Sequence, residues 1–339
     1  MTVDPRPRRP TIRDVARSAG VSHATVSRYL NERSYVSAEA GRAIEAAVRH
    51  TQYVPNRTAR SLVSQKTFSA ACIVREHSDQ FFADPNLSAQ AIGANATFSA
   101  HGYQMLILIV EGDESTRRAA EIVAGGAVDG ALLLAMLEDD PLVLELSKAG
   151  TPLVTASTPL RDSLVPYVDT DNKGGTALIT QRLLDTGRRV VAEIHGPDRH
   201  PVSRIRHEGF MTSMRTLYRP DLVAYADDWT PTAGKRAMRT LLEIEPKIDG
   251  VVAASDGLAS GAASVLLAAG RSIPHDVGIV GFDDSSWATN SRPKLSTVRQ
   301  DARLTGQRLA EVLIRQIEGE DLAGFSMTLP NSIVWRDSA

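Results

Sequence analysis

The stretch Thr11-Ile-Arg-Asp-Val-Ala-Arg-Ser-Ala-Gly-Val-Ser-His-Ala-Thr-Val-Ser-Arg-Tyr-Leu-Asn31 reads as two short helices joined by a tight turn. Thr11 with Asp14 three residues later is a capping box that uses Asp for the usual Glu. Ile12, Val15, Ala16 and Ala19 then recur at helical spacing. Gly20 supplies the residue that follows a C-cap, and Ser22 can cap a second helix over 23–31, with Val26 and Leu30 facing inward. Only Gly20, Val21 and Ser22 lie between them, which makes a helix-turn-helix that presents its second helix outward. Ser37 starts a third helix, and Ile44, Ala47 and Val48 close a minimal core.

Downstream, Tyr53-Val-Pro-Asn-Arg-Thr-Ala-Arg-Ser-Leu62 follows. Pro55 breaks any incoming helix, and Asn56 can cap a new one too short to stand alone. Charge separates this region from the rest. Residues 1–66 hold 12 Lys+Arg against 5 Asp+Glu, net +7, so the other 273 residues carry −9 of the total −2. A basic module on an acidic body suggests a polyanion partner for the first part; a merely solvated basic face is the alternative.

From residue 68 short apolar runs alternate with amphipathic stretches. Strands are expected at 70–74, 104–110, 130–135, 153–155, 190–194, 222–226, 250–254 and 277–280, with helices at 87–100, 115–124, 176–186, 202–217, 233–242 and 258–269. This alternation argues for parallel sheets covered by helices, and its length favours two α/β lobes over one sheet. A TIM barrel is the competing architecture.

Several function classes fall away. The 339 residues are 42% hydrophobic and 23% charged, ordinary for a globular chain. Cys72 is the single cysteine, so neither an intrachain disulfide nor a structural zinc site is expected. No apolar run reaches membrane-span length, and residues 1–10 lack an apolar signal core, so a cytoplasmic protein without membrane partners is expected. Neither GxGxxG, GxxxxGK[ST], HExxH nor GxSxG occurs. Asp169-Thr-Asp-Asn-Lys-Gly174 begins like a calcium loop but fails at Lys173 and Thr180. No metal, cofactor or catalytic residue is expected.

The 11–31 segment resembles the DNA-binding head of the lactose-repressor (LacI/GalR) family, and 53–62 resembles that family's hinge. Ser203-Arg-Ile-Arg-His-Glu-Gly-Phe210, Val280-Gly-Phe-Asp-Asp284, Leu295-Ser-Thr-Val-Arg-Gln300 and Ile333-Val-Trp-Arg336 resemble later family motifs, in family order. The resemblance implies an all-α helix-turn-helix head followed by an α/β core of two Rossmann-like lobes, like type I periplasmic binding proteins. The implied division is a basic arm (1–10, with Arg6, Arg8 and Arg9), a head (11–55), a hinge (56–67) and a core (68–339). Lobe 1 would hold 68–168 and 299–326; lobe 2 would hold 169–298 and 327–339.

On DNA, His23 and Ala24 would meet base edges and Arg28 a guanine, while Thr25 and Ser27 contact phosphates. Thr11, Ser22, Asn31, Tyr53, Asn56, Arg57 and Arg60 complete the implied DNA-binding set. Leu62 would wedge into the minor groove of a pseudo-palindromic operator. In the cleft, the resemblance implies Arg206 and Asp283 as the polar grip on an effector. Ser255, Asp256 and Gln300 would sit at strand ends, with Phe82 and Trp229 stacking on the ligand. Trp287 departs from the family's smaller aliphatic residue and would either stack on the ligand or narrow the cleft. Aromatics with hydroxyl acceptors favour a carbohydrate; a purine or other non-sugar effector is the alternative.

The functional expectation is an effector-controlled repressor. A sugar-binding transport protein conflicts with the basic head, and an enzyme with a fused head lacks any nucleophile–base pair. A homodimer of about 73 kDa, twice 36.6 kDa, is expected, joined through helices near 87–98 and 115–123. The family's tetramerising leucine-heptad helix is not expected, since Ala339 lies three residues beyond Arg336.

Overall fold

The computed structural model describes residues 10–30, 36–54, 66–138, 140–156 and 164–339. The chain divides into two compact units, Met1–Thr67 and Phe68–Ala339. The arm residues Arg6, Arg8 and Arg9, as well as Asn31 and the hinge positions Asn56, Arg57, Arg60 and Leu62, lie outside the described residues.

The first unit contains α1 (Ile12–Ala19), α2 (His23–Leu30) and α3 (Ala38–Thr51). The Asp14 carboxylate accepts hydrogen bonds from the Thr11 N–H (2.9 Å) and the Thr11 hydroxyl (2.7 Å), fixing the start of α1. Gly20 ends that helix at φ +66°, a conformation open to glycine at little cost. The Ser22 Oγ accepts from the Thr25 N–H at 3.1 Å, so the next helix begins at once. Val15, Ala16, Val26, Ile44 and Ala47 are the buried core. The Tyr29 hydroxyl donates to Glu45 (2.6 Å) and ties α2 to α3.

The second unit carries β1 (Ser69–Val74), α4 (Ser78–Ala83), α5 (Pro85–Ala100), β2 (Gln104–Ile109), α6 (Asp113–Ala124), β3 (Ala131–Leu134), α7 (Pro141–Lys148), β4 (Leu153–Ala156) and β5 (Tyr167–Thr170). Then come α8 (Asn172–Asp185), β6 (Val191–His195), α9 (Pro201–Met214), β7 (Val223–Tyr225), α10 (Pro231–Ile244), β8 (Gly250–Ala253), α11 (Asp256–Ala268) and β9 (Gly278–Asp283). The chain finishes with α12 (Ser286–Asn290), β10 (Ser296–Arg299), α13 (Ala302–Ile317), β11 (Ser326–Leu329) and β12 (Ser332–Val334).

Two sheets result, ordered β11-β5-β4-β3-β1-β2 and β12-β10-β9-β8-β6-β7. All neighbours run parallel except β12, which pairs antiparallel with β10. The central strands β1, β3, β6, β8 and β9 each feed two cores by alternation. Ala70, Cys72 and Val74 pack with Leu87 and Phe98 of α5 and Leu309 and Leu313 of α13; Ala71 and Ile73 pack with α6 and α7. In lobe 2, Ala192 and Ile194 face α10 and α11, whereas Val191 joins Phe210 and Met214 of α9. These are two helix-covered lobes, not a barrel.

Two expected crossings between lobes move. Tyr167–Thr170 pairs residue by residue with Ser326–Leu329, so both strands stay in lobe 1 to the end. The chain therefore crosses at 170–172 and 329–332, not at 168–169 and 326–327; the third crossing, between β10 and α13, follows Arg299. The helix expected over 202–217 ends at Met214, where Arg215 turns to φ +48°.

The effector cleft and the recognition helix

On α2, Val26 is buried while Ala24 and Arg28 on the other face, and His23 in the first turn, are exposed; Thr25 and Ser27 are half-buried. The Arg28 Nε donates to the Ala24 carbonyl at 3.2 Å, so its guanidinium lies along the helix surface. Thr11 and Tyr53 are half-buried and Ser22 is exposed.

The cleft lies at the C-terminal ends of both sheets, where parallel α/β folds place their ligands. Lobe 2 supplies a polar network centred on Arg206. Arg206, on α9, is 5% exposed. Its Nε donates to Asn172 Oδ1 (2.9 Å), its Nη1 to the Ala254 carbonyl (2.5 Å) and its Nη2 to Asp283 Oδ1 (3.3 Å). Gln300 Nε2 donates to the same Asp283 oxygen at 2.6 Å. The guanidinium also stacks on Phe282, 3.7 Å from the ring centroid, and lies 5.9 Å from that of Trp229. Asp283 itself sits at φ +109°, backbone strain of the kind found at binding sites. Burial pushes its carboxyl up to about 6, against the opposing pull of Arg206.

Ser255 lines the cleft and caps α11, accepting from the Leu258 N–H at 3.3 Å. Trp229 and Trp287 both line it, half-buried, which brings together the two tryptophans singled out in the sequence.

Two expected ligand contacts are corrected. Asp256 is fully buried and absent from the cleft lining. Its oxygens accept from the Ser285 N–H (2.7 Å) and the Thr297 hydroxyl (2.6 Å), so it braces the loop after β9. Burial holds its carboxyl well above the usual range, with Asp283 adding to the shift. Phe82 is 73% exposed and outside the cleft. The short α4 buries Phe81, which turns its neighbour outward.

The lobe 1 wall comes instead from the first turns of α5. Asp84, Asn86, Leu87 and Gln90 all line the cleft. Asp84 caps α5 by accepting from the Asn86 and Leu87 N–H groups (2.7 and 3.3 Å). The Asp84-Pro-Asn86 signature of a helix start was the available sequence signal for this wall.

Asn172 is a further addition. Its Nδ2 donates to Asp169 Oδ1 at 2.9 Å and its oxygen holds Arg206, so the segment with calcium-loop character is a crossover that positions the arginine. Across the cleft, Glu76 of lobe 1 meets Arg199 (3.7 Å) and His200 (4.0 Å) of lobe 2, and Glu138 meets Arg204 (3.6 Å). Burial, reinforced by Arg199, lowers His200 to about 4, so it is neutral at physiological pH.

Among the described residues no cluster of three His, Cys, Asp or Glu could hold a metal ion, and no helix is long and apolar enough to cross a membrane.

Residues 11–56 match the family described as bacterial regulatory proteins, lacI family, and residues 180–339 match a periplasmic binding protein-like domain. The chain is 38% identical to the HTH-type transcriptional regulator CelR of Thermobifida fusca, over 98% of this chain and 99% of that one. It is 33% identical to the ribose operon repressor of Halalkalibacterium halodurans, over 97% and 96%. Among solved structures it resembles a transcriptional regulator CelR–cellobiose complex (TM-score 0.78, 36% identity, 98% of this chain and 100% of that one). It also resembles a Lac repressor bound to ONPG in the repressed state (TM-score 0.86, 25% identity, 98% and 100%). The chain belongs to the LacI family. It is a DNA-binding transcriptional regulator, not an enzyme.

Proposed function

We propose that this regulator is a cytoplasmic repressor that binds a pseudo-palindromic operator as a homodimer, and that a neutral sugar held between its lobes controls its affinity for DNA. The observation that carries the sugar reading is the Arg206–Asp283–Gln300 network flanked by Trp229 and Trp287. Polar groups that bind hydroxyls beside two stacking surfaces suit a pyranose. Among the described residues the charged lining consists of Glu76, Asp84, Asp169 and Asp283 against Arg206. That excess of carboxylates disfavours sugar phosphates and organic acids. The relative solved with cellobiose supports a β-linked disaccharide as the first candidate.

Calorimetric titration tests this reading. Cellobiose should bind, and a phosphorylated sugar should not. The Asp283 carboxylate accepts ligand hydroxyls best when ionised, and its folded value stands near 6. Affinity should therefore be full well above pH 6 and be lost as the pH falls through about 6. An affinity that rises on acidification contradicts this role for Asp283.

For DNA, the exposed His23, Ala24 and Arg28 are the base-reading set and Thr25 and Ser27 hold phosphates, with Thr11, Ser22, Asn31, Tyr53, Asn56, Arg57 and Arg60 in support and Leu62 as the minor-groove wedge. Arg28→Ala should cost about 1–3 kcal/mol per half-site and relax preference at one base pair. Uniform weakening on every DNA sequence would make Arg28 a phosphate contact instead.

For the dimer, α5 and the edge strand β2 each carry exposed apolar side chains, Ile92 (51%) on the first and Leu106 and Ile107 (38% and 44%) on the second. Helix α6 turns Ala119, Ala120 and Val123 into its own core, and its outer face joins α5 and β2 in the proposed interface.

A further inference from the structure

Helix α5 presents to the cleft two carboxamides whose oxygens no other described residue uses. Asn86 and Gln90 stand four residues apart, on one face of the helix, and both line the cavity. Asn86 Oδ1 and Gln90 Oε1 are buried and have no hydrogen-bond partner among the described residues. Gln90 is only 8% exposed. Buried amide oxygens are almost always paired, because an unmade hydrogen bond in a dry site is costly.

The two walls therefore differ. On lobe 2, Arg206 already donates to Asn172, Ala254 and Asp283, and Gln300 donates to Asp283. On lobe 1 the amide oxygens are open acceptors. An occupant that completes them must bring O–H or N–H donors to α5, and a sugar hydroxyl is such a donor.

We infer that Asn86 and Gln90 are the specificity-determining residues of lobe 1, accepting hydrogen bonds from hydroxyls of the sugar unit that docks against α5. This rests on the sugar reading above. A ligand lacking those hydroxyls leaves both oxygens buried and unpaired, so discrimination arises at the polar groups rather than from fit alone. Sites that hydrogen-bond a hydroxyl reject analogues without it more strongly than apolar pockets reject an extra methylene.

The experiment uses the full-length wild type, Asn86→Leu and Gln90→Leu, each titrated calorimetrically with cellobiose and its monodeoxy analogues. Each variant should bind cellobiose about five- to tenfold more weakly, the size of one lost hydrogen bond. For at least one monodeoxy analogue the wild type should lose a similar factor, while the matching leucine variant loses nothing further. Thermal unfolding without ligand gives the second readout. Removing an unpaired buried amide should leave the midpoint unchanged or raise it, whereas a residue that merely supports the fold would lower it. Unchanged cellobiose affinity in both variants, or equal losses of wild type and variants on every analogue, overturns the inference while the sugar reading stands. If the wild type binds no member of a neutral mono- and disaccharide panel that includes cellobiose, the sugar reading falls and takes this inference with it.

Discussion

Arg206→Ala should abolish the effector response and cost the core about 3–5 kcal/mol, the range for removing one partner of a buried ion pair. The guanidinium serves Asn172, the Ala254 carbonyl and Asp283 together. Its loss leaves all three without that donor in a buried site. It also removes the charge that lowers Asp283, so that carboxyl climbs further above about 6 and is protonated more at neutral pH. Two charge-assisted hydrogen bonds to ligand would vanish, which corresponds to roughly 100-fold or more in affinity. DNA binding by the head should survive, since Val15, Val26 and Ile44 form their own core. Calorimetry and thermal unfolding measure both effects. Sugar affinity within twofold of wild type would remove Arg206 from the binding role.

The second large effect lies where α5 and α13 touch. A Cβ on Gly306 would stand 1.9 Å from the Gln90 carbonyl oxygen, and one on Gly93 2.0 Å from that of Arg303. Both obstacles are backbone, so neither can swing aside. Gly306→Ala should cost about 3 kcal/mol, the upper end of ordinary overpacking, and lower the unfolding midpoint by about 6–12 °C. It should weaken sugar binding too, because α5 carries Asn86 and Gln90. Gly112→Ala, where a Cβ meets nothing within 4 Å, is the comparison; as the N-cap of α6 it should lose only about 0.5–1 kcal/mol, well short of the Gly306 effect. Equal midpoints for the two variants would mean the helices separate without cost.

The head was legible because its signals are local: a cap at Thr11, a left-handed Gly20 and a second cap at Ser22. The apolar central strands were legible for the same reason. β5, β10, β11 and β12 carried no such signal. β10 buries Ser296 and Thr297, whose hydroxyls find their shortest side-chain or backbone partners at Arg336 and Asp256, far away in sequence. β5 and β11 alternate exposure as crossover strands, with Asp169 turned toward the cleft. The lobe 2 site came through its motifs, Arg206, Asp283 and Gln300. The lobe 1 wall did not. The family resemblance pointed to Phe82, but in a helix as short as α4 burying Phe81 exposes its neighbour, and the wall passed to α5. Asp256 was misplaced for a related reason. A strand-end carboxylate can face the ligand or the loop behind it, and here the Ser285 N–H and the Thr297 hydroxyl hold it to the loop.

The central claim is that occupancy of the cleft changes affinity for DNA. It is tested most directly by fluorescence anisotropy on a pseudo-palindromic duplex selected by the full-length protein from random DNA. Binding should saturate at two chains per duplex, and saturating cellobiose should shift the dissociation constant at least about tenfold, a coupling of roughly 1.4 kcal/mol. Arg206→Ala should bind the same duplex without that shift. A dissociation constant unmoved by cellobiose, while calorimetry shows the sugar bound, would contradict the account.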